Sequence, residues 1–203
     1  MPTDFTEQRK GKMDFDKKIG EITDFARENL SESRFSHSLW VAGTAAAFCA
    51  NYNLNASRGF LAGIAHDICK EMSDERIWNL AAKDGTEADE IEREKISLLH
   101  GRAAAVLLKE RFAIDDEEVL EAVAHHTFGK PDLSDLGLMI FVADKVEPTR
   151  ERKNDLRALQ KLPLRELARK IVLENIAYVK FKGKKMSNRT FDFLDWLEEV
   201  SKQ

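Results

Sequence analysis

Hydrophobic residues in this chain recur at intervals of three and four, and each stripe ends at a residue type that starts or stops a helix. From Phe15 the apolar positions 15, 19, 22, 25 or 26, and 30 predict a first helix, which Ser31 to Ser33 interrupts while offering caps for the next. A second stripe, Phe35, Leu39, Ala42, Ala46 and Cys49, predicts a helix ending near Tyr52. Arg34 and His37 lie beside that stripe, at the edge of a cleft. Asn55 caps a third helix through Phe60, Leu61 and Ile64, and its apolar run closes on His66-Asp67, just before the charged turn Lys70-Glu71.

Ser73 opens a short helix with Ile77, Trp78 and Leu80 that stops near Asp84-Gly85. Thr86 is expected to cap an acidic, solvated segment reaching Glu94. Beyond it Leu98, Leu99, Ala103, Val106 and Leu107 predict a helix with His100 in its first turn. Asp115 and Glu118 resemble a capping box for a helix that runs to His125-His126. His126 follows Val119, Ala122 and Val123 by seven, four and three residues, which puts it on the inner face. His125 follows Glu118 and Glu121 by seven and four, which turns it to water.

After the turn Gly129-Lys130-Pro131, a helix carries Leu136, Ile140, Phe141 and Asp144 on one face, and Pro148 ends it close to Arg150. A polar linker leads to a long amphipathic helix through Leu164, Leu167, Ile171, Val172, Ile176 and Val179. The basic turn Lys180 to Arg189 precedes a last helix, from about Thr190, expected to bury Phe191, Leu194, Trp196 and Leu197. No run alternates long enough to insist on a strand, and there is no repeat or low-complexity tract. The expected fold class is all-α: a single-domain helical bundle over residues 15–203 behind a flexible N-terminus, residues 1–14.

Composition narrows the function classes. With 32 basic and 36 acidic residues the net charge is −4, which argues against a broad nucleic-acid footprint but leaves room for local cations that hold a small anion. No apolar run approaches the roughly 18 residues of a membrane span, and the polar, mixed-charge start lacks a signal-peptide core. Cys49 and Cys69 are far apart, the first between Phe48 and Ala50 and the second after Ile68, so they read as small buried hydrophobes in a reducing compartment. The expected location is the cytoplasm and the expected partner a small molecule, with a homodimer as the assembly left open.

Chemistry concentrates in six side chains from five helices: His37, His66, Asp67, His100, His126 and Asp144. An acid such as Asp144 on an apolar face is expensive unless something pairs with it. Four imidazoles and two carboxylates without a thiolate suit iron, manganese, cobalt or zinc rather than an iron–sulfur cluster, and a catalytic site rather than structural zinc. A carboxylate beside a histidine can bridge two metal ions, an arrangement suited to in-line displacement at phosphorus. Arg34, Lys70 and Arg150 lie within a few residues of these groups, and guanidinium forks fit phosphate oxygens.

The segments Arg34-Phe-Ser-His37, Ala65-His-Asp-Ile-Cys-Lys70, Leu98-Leu-His-Gly101, His126-Thr-Phe-Gly129 and Ala143-Asp-Lys-Val-Glu-Pro-Thr-Arg150 together resemble the YqeK-type subfamily of HD-domain metal phosphohydrolases. The resemblance runs from about residue 15 to residue 197. It implies an all-helical HD fold and symmetrical hydrolysis of diadenosine tetraphosphate to two ADP by metal-activated water. It also implies that His37, His66, Asp67 and Asp144 hold a first metal, commonly iron, with cobalt or manganese as substitutes. By the same resemblance Asp67, His100 and His126 are catalytic, and His100 and His126 bind a second metal or the phosphate chain. Arg34, Lys70, Thr127 and Arg150 would then grip nucleotide, joined by Thr190 from a loosely similar tail.

Lys145, Phe128 and Lys130 depart from the residues common in that subfamily, where an aromatic residue, a second threonine and an arginine stand. Since none of them is a proposed ligand, the departures bear on substrate preference rather than on metal binding. Competing readings are an HD phosphohydrolase for a nucleoside monophosphate, a guanosine alarmone or a cyclic dinucleotide, and a non-catalytic nucleotide or metal sensor. A helical interaction module would leave Asp144 unexplained.

Overall fold

A computed structural model describes residues 14–150 and 154–200. Apart from Asp14, the N-terminal segment expected to be flexible lies outside the described residues. The described chain is helical, in the order α1 Phe15–Asn29, α2 Glu32–Asn51, α3 Ala56–Ala65, α4 Asp74–Ala81, α5 Glu90–Glu94, α6 His100–Phe112, α7 Glu117–His125, α8 Asp135–Val146, α9 Leu156–Leu159, α10 Leu164–Phe181 and α11 Asn188–Val200. Single 3₁₀ turns at Ala82–Asp84 and Ile96–Leu99 bend the chain into and out of the α5 region. No strand occurs among the described residues, so the all-α expectation is borne out.

Caps set most of these boundaries. The side chains of Ser31, Asn55 and Ser73 each accept a backbone N–H three residues on, at the starts of α2, α3 and α4. Two caps fall elsewhere than expected. Asp89, not Thr86, starts α5, and its carboxylate and that of Glu92 exchange bonds in a full capping box. Asp116, not Asp115, caps α7 by accepting from Val119. The polar linker holds a short helix, α9, whose Leu159 is buried.

The face of α2 also differs. The buried arc runs through His37, Ser38, Val41, Ala42, Thr44, Ala45, Phe48 and Cys49, while Leu39 is 39% and Trp40 47% exposed. Because α2 packs against both α3 and α8, that arc is wide and includes polar residues that an apolar stripe passes over. His37 therefore lies on the buried face rather than beside it. At the other end of the chain α11 turns Thr190, Phe193 and Leu197 inward, leaving Phe191 37% exposed. Both cysteines are free and buried, with thiols pushed up by burial to about 11 for Cys49 and about 12 for Cys69.

Packing brings the site together. Helix α3 touches α2, α7 and α8, and α8 also touches α2, α7 and α10. A Cβ on Gly63 would lie 2.6 Å from Ala42 Cα. Only glycine allows that approach, which draws the end of α3 against α2 and His66 toward His37. Glu92 shows what the acidic segment does: it is 1% exposed, with carboxylate oxygens 3.3 Å from Arg102 Nη1 and 3.1 Å from Arg189 Nη1. This buried ion cluster ties α5 to α6 and α11, where a solvated segment was expected.

Gly129 fixes the loop after α7. Its φ is +74°, and a Cβ there would meet Phe193 Cδ1 at 2.1 Å. Gly129→Ala is expected to destabilise the fold by about 1–3 kcal/mol from overpacking, read as a lowered midpoint in chemical denaturation. A variant as stable as the parent would show that α11 does not hold this loop.

Candidate metal centre

Every predicted donor sits at or near a helix end. His66 caps the C-terminus of α3 with Asp67 following, His100 opens α6, His126 caps the C-terminus of α7, and Asp144 lies in the last turn of α8. His37 comes from the second turn of α2. At such ends a side chain can turn back on the carbonyl three residues earlier. His66 Nδ1 lies 2.7 Å from Gly63 O, His100 Nδ1 2.8 Å from Ser97 O and His126 Nδ1 2.8 Å from Val123 O. His37 Nδ1 lies 3.1 Å from Glu147 Oε1, a carboxylate that is itself buried.

These contacts fix the tautomers. A carbonyl or carboxylate oxygen only accepts, so each Nδ1 carries the proton and donates it. In their neutral form all four rings then present a bare Nε2 lone pair inward. His100 Nε2 is 3.0 Å from His126 Nε2 and 2.9 Å from Asp67 Oδ1. His66 Nε2 is buried and has no hydrogen-bond partner at all. Lone pairs facing lone pairs repel, and an outer oxygen holding each Nδ1–H is how metal-bound imidazoles are oriented. The donor set thus fits a divalent metal ion.

Two donor groups are recognisable, His37, His66 and Asp67, and Asp67, His100 and His126, and they share Asp67. Its Oδ2 lies 3.9 Å from His37 Nε2 and 3.5 Å from His66 Nε2, while its Oδ1 faces His100 and, at 3.8 Å, His126 Nε2. Asp144 Oδ1 joins the first group at 3.2 Å from His37 Nε2 and 3.8 Å from His66 Nε2. Asp67 thus offers one carboxylate oxygen to each group.

Charge states match that use. Burial lowers the pKa of His66, and burial with its imidazole neighbours holds His126 well below the usual range, so both rings are neutral. Burial raises the Asp67 carboxyl, but its neighbours, the Lys70 ammonium among them, outweigh it and keep the group ionised. For Asp144 burial is likewise outweighed, chiefly by Lys145 and Arg150. Neutral imidazoles and ionised carboxylates are the forms that bind a metal.

The centre opens into a cleft of about 980 Å³. Arg34, Lys70, Thr127 and Arg150 all line it. Arg34 Nη1 donates to Asp67 Oδ2 at 2.8 Å, Lys70 Nζ lies 3.2 Å from each ring nitrogen of His100, and Arg150 donates to the carboxylate and carbonyl of Asp144. Thr190 is the exception. It is buried away from the cleft lining and donates to Phe128 O at 3.2 Å, which makes it a support for the 126–129 loop. His125 is half-buried rather than turned to water, its pKa lowered by burial to about 4, and it does not line the cleft.

Three contributors went unassigned in the sequence. Glu147, three residues past Asp144, orients His37, and its spacing on one helix face was the available signal. Lys145 ties Asp144 Oδ2 to His126 O, at 3.2 and 2.9 Å. Helix α10 walls the far side of the cleft with Ile171, Asn175, Tyr178 and Val179, residues whose types carry no distinctive chemistry.

A model of the HD domain matches residues 34–149, more than half of the sequence and the whole span from Arg34 to Thr149. The chain belongs to the HD-domain family. Relatives of this HD protein include the symmetrical bis(5'-nucleosyl)-tetraphosphatase of Staphylococcus aureus, 34% identical over 62% of this chain and 64% of that one. The Halalkalibacterium halodurans protein of the same name is 32% identical over 65% of this chain and 70% of its own length. The fold matches that of a predicted HD superfamily hydrolase from Clostridium acetobutylicum with a TM-score of 0.80 at 33% identity, covering 95% of this chain and all of that one. Among the described residues no helix is long and apolar enough to cross a membrane.

Proposed function

We propose that this HD-domain protein is a metal-dependent hydrolase that cuts diadenosine tetraphosphate at its centre into two ADP. The observation that carries the reading is Asp67 shared between two donor groups at the base of a cleft lined by Arg34, Lys70 and Arg150. The activity for which the two tetraphosphatase relatives are named supports the substrate. His37, His66, Asp67 and Asp144 would hold the first ion, for which iron is proposed, with cobalt or manganese as substitutes. His100 and His126, with Asp67, would take a second ion or the phosphate chain.

A divalent ion there would supply Lewis acidity, polarising a phosphoryl oxygen and making a water easier to deprotonate. The protein's own groups do the rest. Arg34, Lys70, Thr127 and Arg150 bind the polyphosphate with charge-assisted bonds, placing a central phosphorus beside Asp67. Water attacks that phosphorus, the bond to the central bridging oxygen breaks, and the bridge leaves with the second ADP. With Nε2 bare, His100 and His126 would hold a second ion that offsets the charge building on the phosphoryl group; protonated at Nε2, they would donate to the phosphate chain directly. The two buried free cysteines support a reducing, cytoplasmic setting.

Hydrolysis in water enriched in heavy oxygen tests the site of attack. The metal-loaded protein is expected to make ADP alone, with one label in one of the two ADP molecules per turnover. ATP with AMP, or indifference to this substrate beside rapid hydrolysis of nucleoside monophosphates, would overturn the assignment.

A further inference from the structure

The ends of α7 and α8 meet at one side chain. Lys145 stands in the last turn of α8, one residue after Asp144. Neighbours on a helix point about 100° apart, so Lys145 reaches the Asp144 carboxylate only by bending back toward it. Its Nζ donates to Asp144 Oδ2 at 3.2 Å and to His126 O at 2.9 Å, and lies 3.8 Å from the ring centre of Phe141, four residues earlier on the same helix.

An ammonium has three protons and accepts nothing. Here two oxygens and one aromatic face take all three, so Lys145 lines the cleft without a donor to spare for a phosphate. Arg150 differs. It donates to Asp144 Oδ1, the oxygen that faces His37 and His66, but its side chain is 37% exposed and can turn away to a substrate. The Lys145 side chain is 14% exposed and stays where its acceptors are. Oδ2 is therefore held throughout, and Oδ1 is the oxygen that Asp144 can release to an ion. Because His126 belongs to the second donor group, the same ammonium also ties a donor of one group to a donor of the other.

Resting on the reading of this centre as a metal site, we propose that Lys145 is a positioning residue that limits Asp144 to one metal-facing oxygen and so sets which ion the first group prefers. A carboxylate with both oxygens free can grip an oxygen-seeking ion at two points. With one oxygen held away, the first group offers two imidazoles and single oxygens from Asp67 and Asp144. That set favours imidazole-seeking ions such as iron or cobalt over manganese.

The test needs no turnover. Parent and Lys145→Met proteins are equilibrated with equal excesses of cobalt and manganese, desalted and analysed for both. Methionine packs well on an aromatic ring, so folding is retained, which circular dichroism checks; Lys145→Leu is a second neutral variant with the same expectation. The manganese-to-cobalt ratio is expected to rise about tenfold, the scale of losing an outer partner of a metal ligand. The visible absorption of bound cobalt should weaken as Asp144 turns its second oxygen inward and the coordination number rises. Lys145→Arg, which keeps the charge and can donate to both oxygens, should give the parental ratio and spectrum. An unchanged ratio in the neutral variants, or the same shift in Lys145→Arg, would overturn the role of Lys145 and leave the metal reading intact. Parent protein that retains neither ion would overturn both. Cleavage of diadenosine tetraphosphate enters none of these outcomes, so the proposed reaction stands or falls separately.

Discussion

Asp67→Ala protein is expected to emerge from chelator-free purification with most of its divalent metal gone and with turnover reduced at least a hundredfold, the scale of losing a key electrostatic group. The size follows from the position of the carboxylate. Oδ1 lies 2.9 Å from His100 Nε2 and 3.8 Å from His126 Nε2, and Oδ2 lies 3.5 Å from His66 Nε2. Removing one side chain therefore takes an anionic donor from both groups, leaving the second with two imidazoles and the first with two imidazoles and Asp144. The helical fold should survive. Arg34, which loses its partner, is about one-third exposed and can turn to water, and the rings keep their outer bonds to Gly63, Ser97 and Val123. Metal analysis beside far-ultraviolet circular dichroism separates the two effects. Wild-type metal stoichiometry in the folded variant would sink the shared-ligand reading.

The six donors were legible because histidine and aspartate at the ends of apolar runs are costly to bury without partners, and the chain has only five histidines. Caps at Asn55 and Ser73 were equally legible, whereas Ser31 and Ser33 both stood ready before α2 and only the backbone decided between them. The misplaced cap of α7 has a simple origin. Asp115 and Asp116 are both competent, and only the backbone decides between them. The phase of α2 was misread because burial there follows contact with α3 and α8, not side-chain type, so His37, Ser38 and Thr44 go in while Leu39 and Trp40 stay out. Glu92 is buried by Arg102 and Arg189, ten and 97 residues away. No local pattern encodes such a pairing, and the same is true of the α10 wall of the cleft.

Substituting the two adjacent histidines should give opposite outcomes. His126→Ala is expected to lower turnover at least about a hundredfold, as for loss of a group that stabilises developing charge, while His125→Ala leaves turnover nearly unchanged. His126 is 2% exposed, its Nδ1–H is held by Val123 O, and its Nε2 faces His100 and Asp67 inside the cleft. His125, one residue earlier and about 100° around the helix, is only half-buried, away from the cleft lining. Burial lowers its pKa to about 4, so at neutral pH its loss removes no charge. The metal content of His126→Ala distinguishes its two candidate roles. Loss of one ion, with the ion held by His37, His66, Asp67 and Asp144 retained, marks it as a ligand in the second group. Full metal content with a raised KM marks it as a phosphate contact. Equal losses of turnover in the two variants would show that the helix end presenting His126 does not face the reaction.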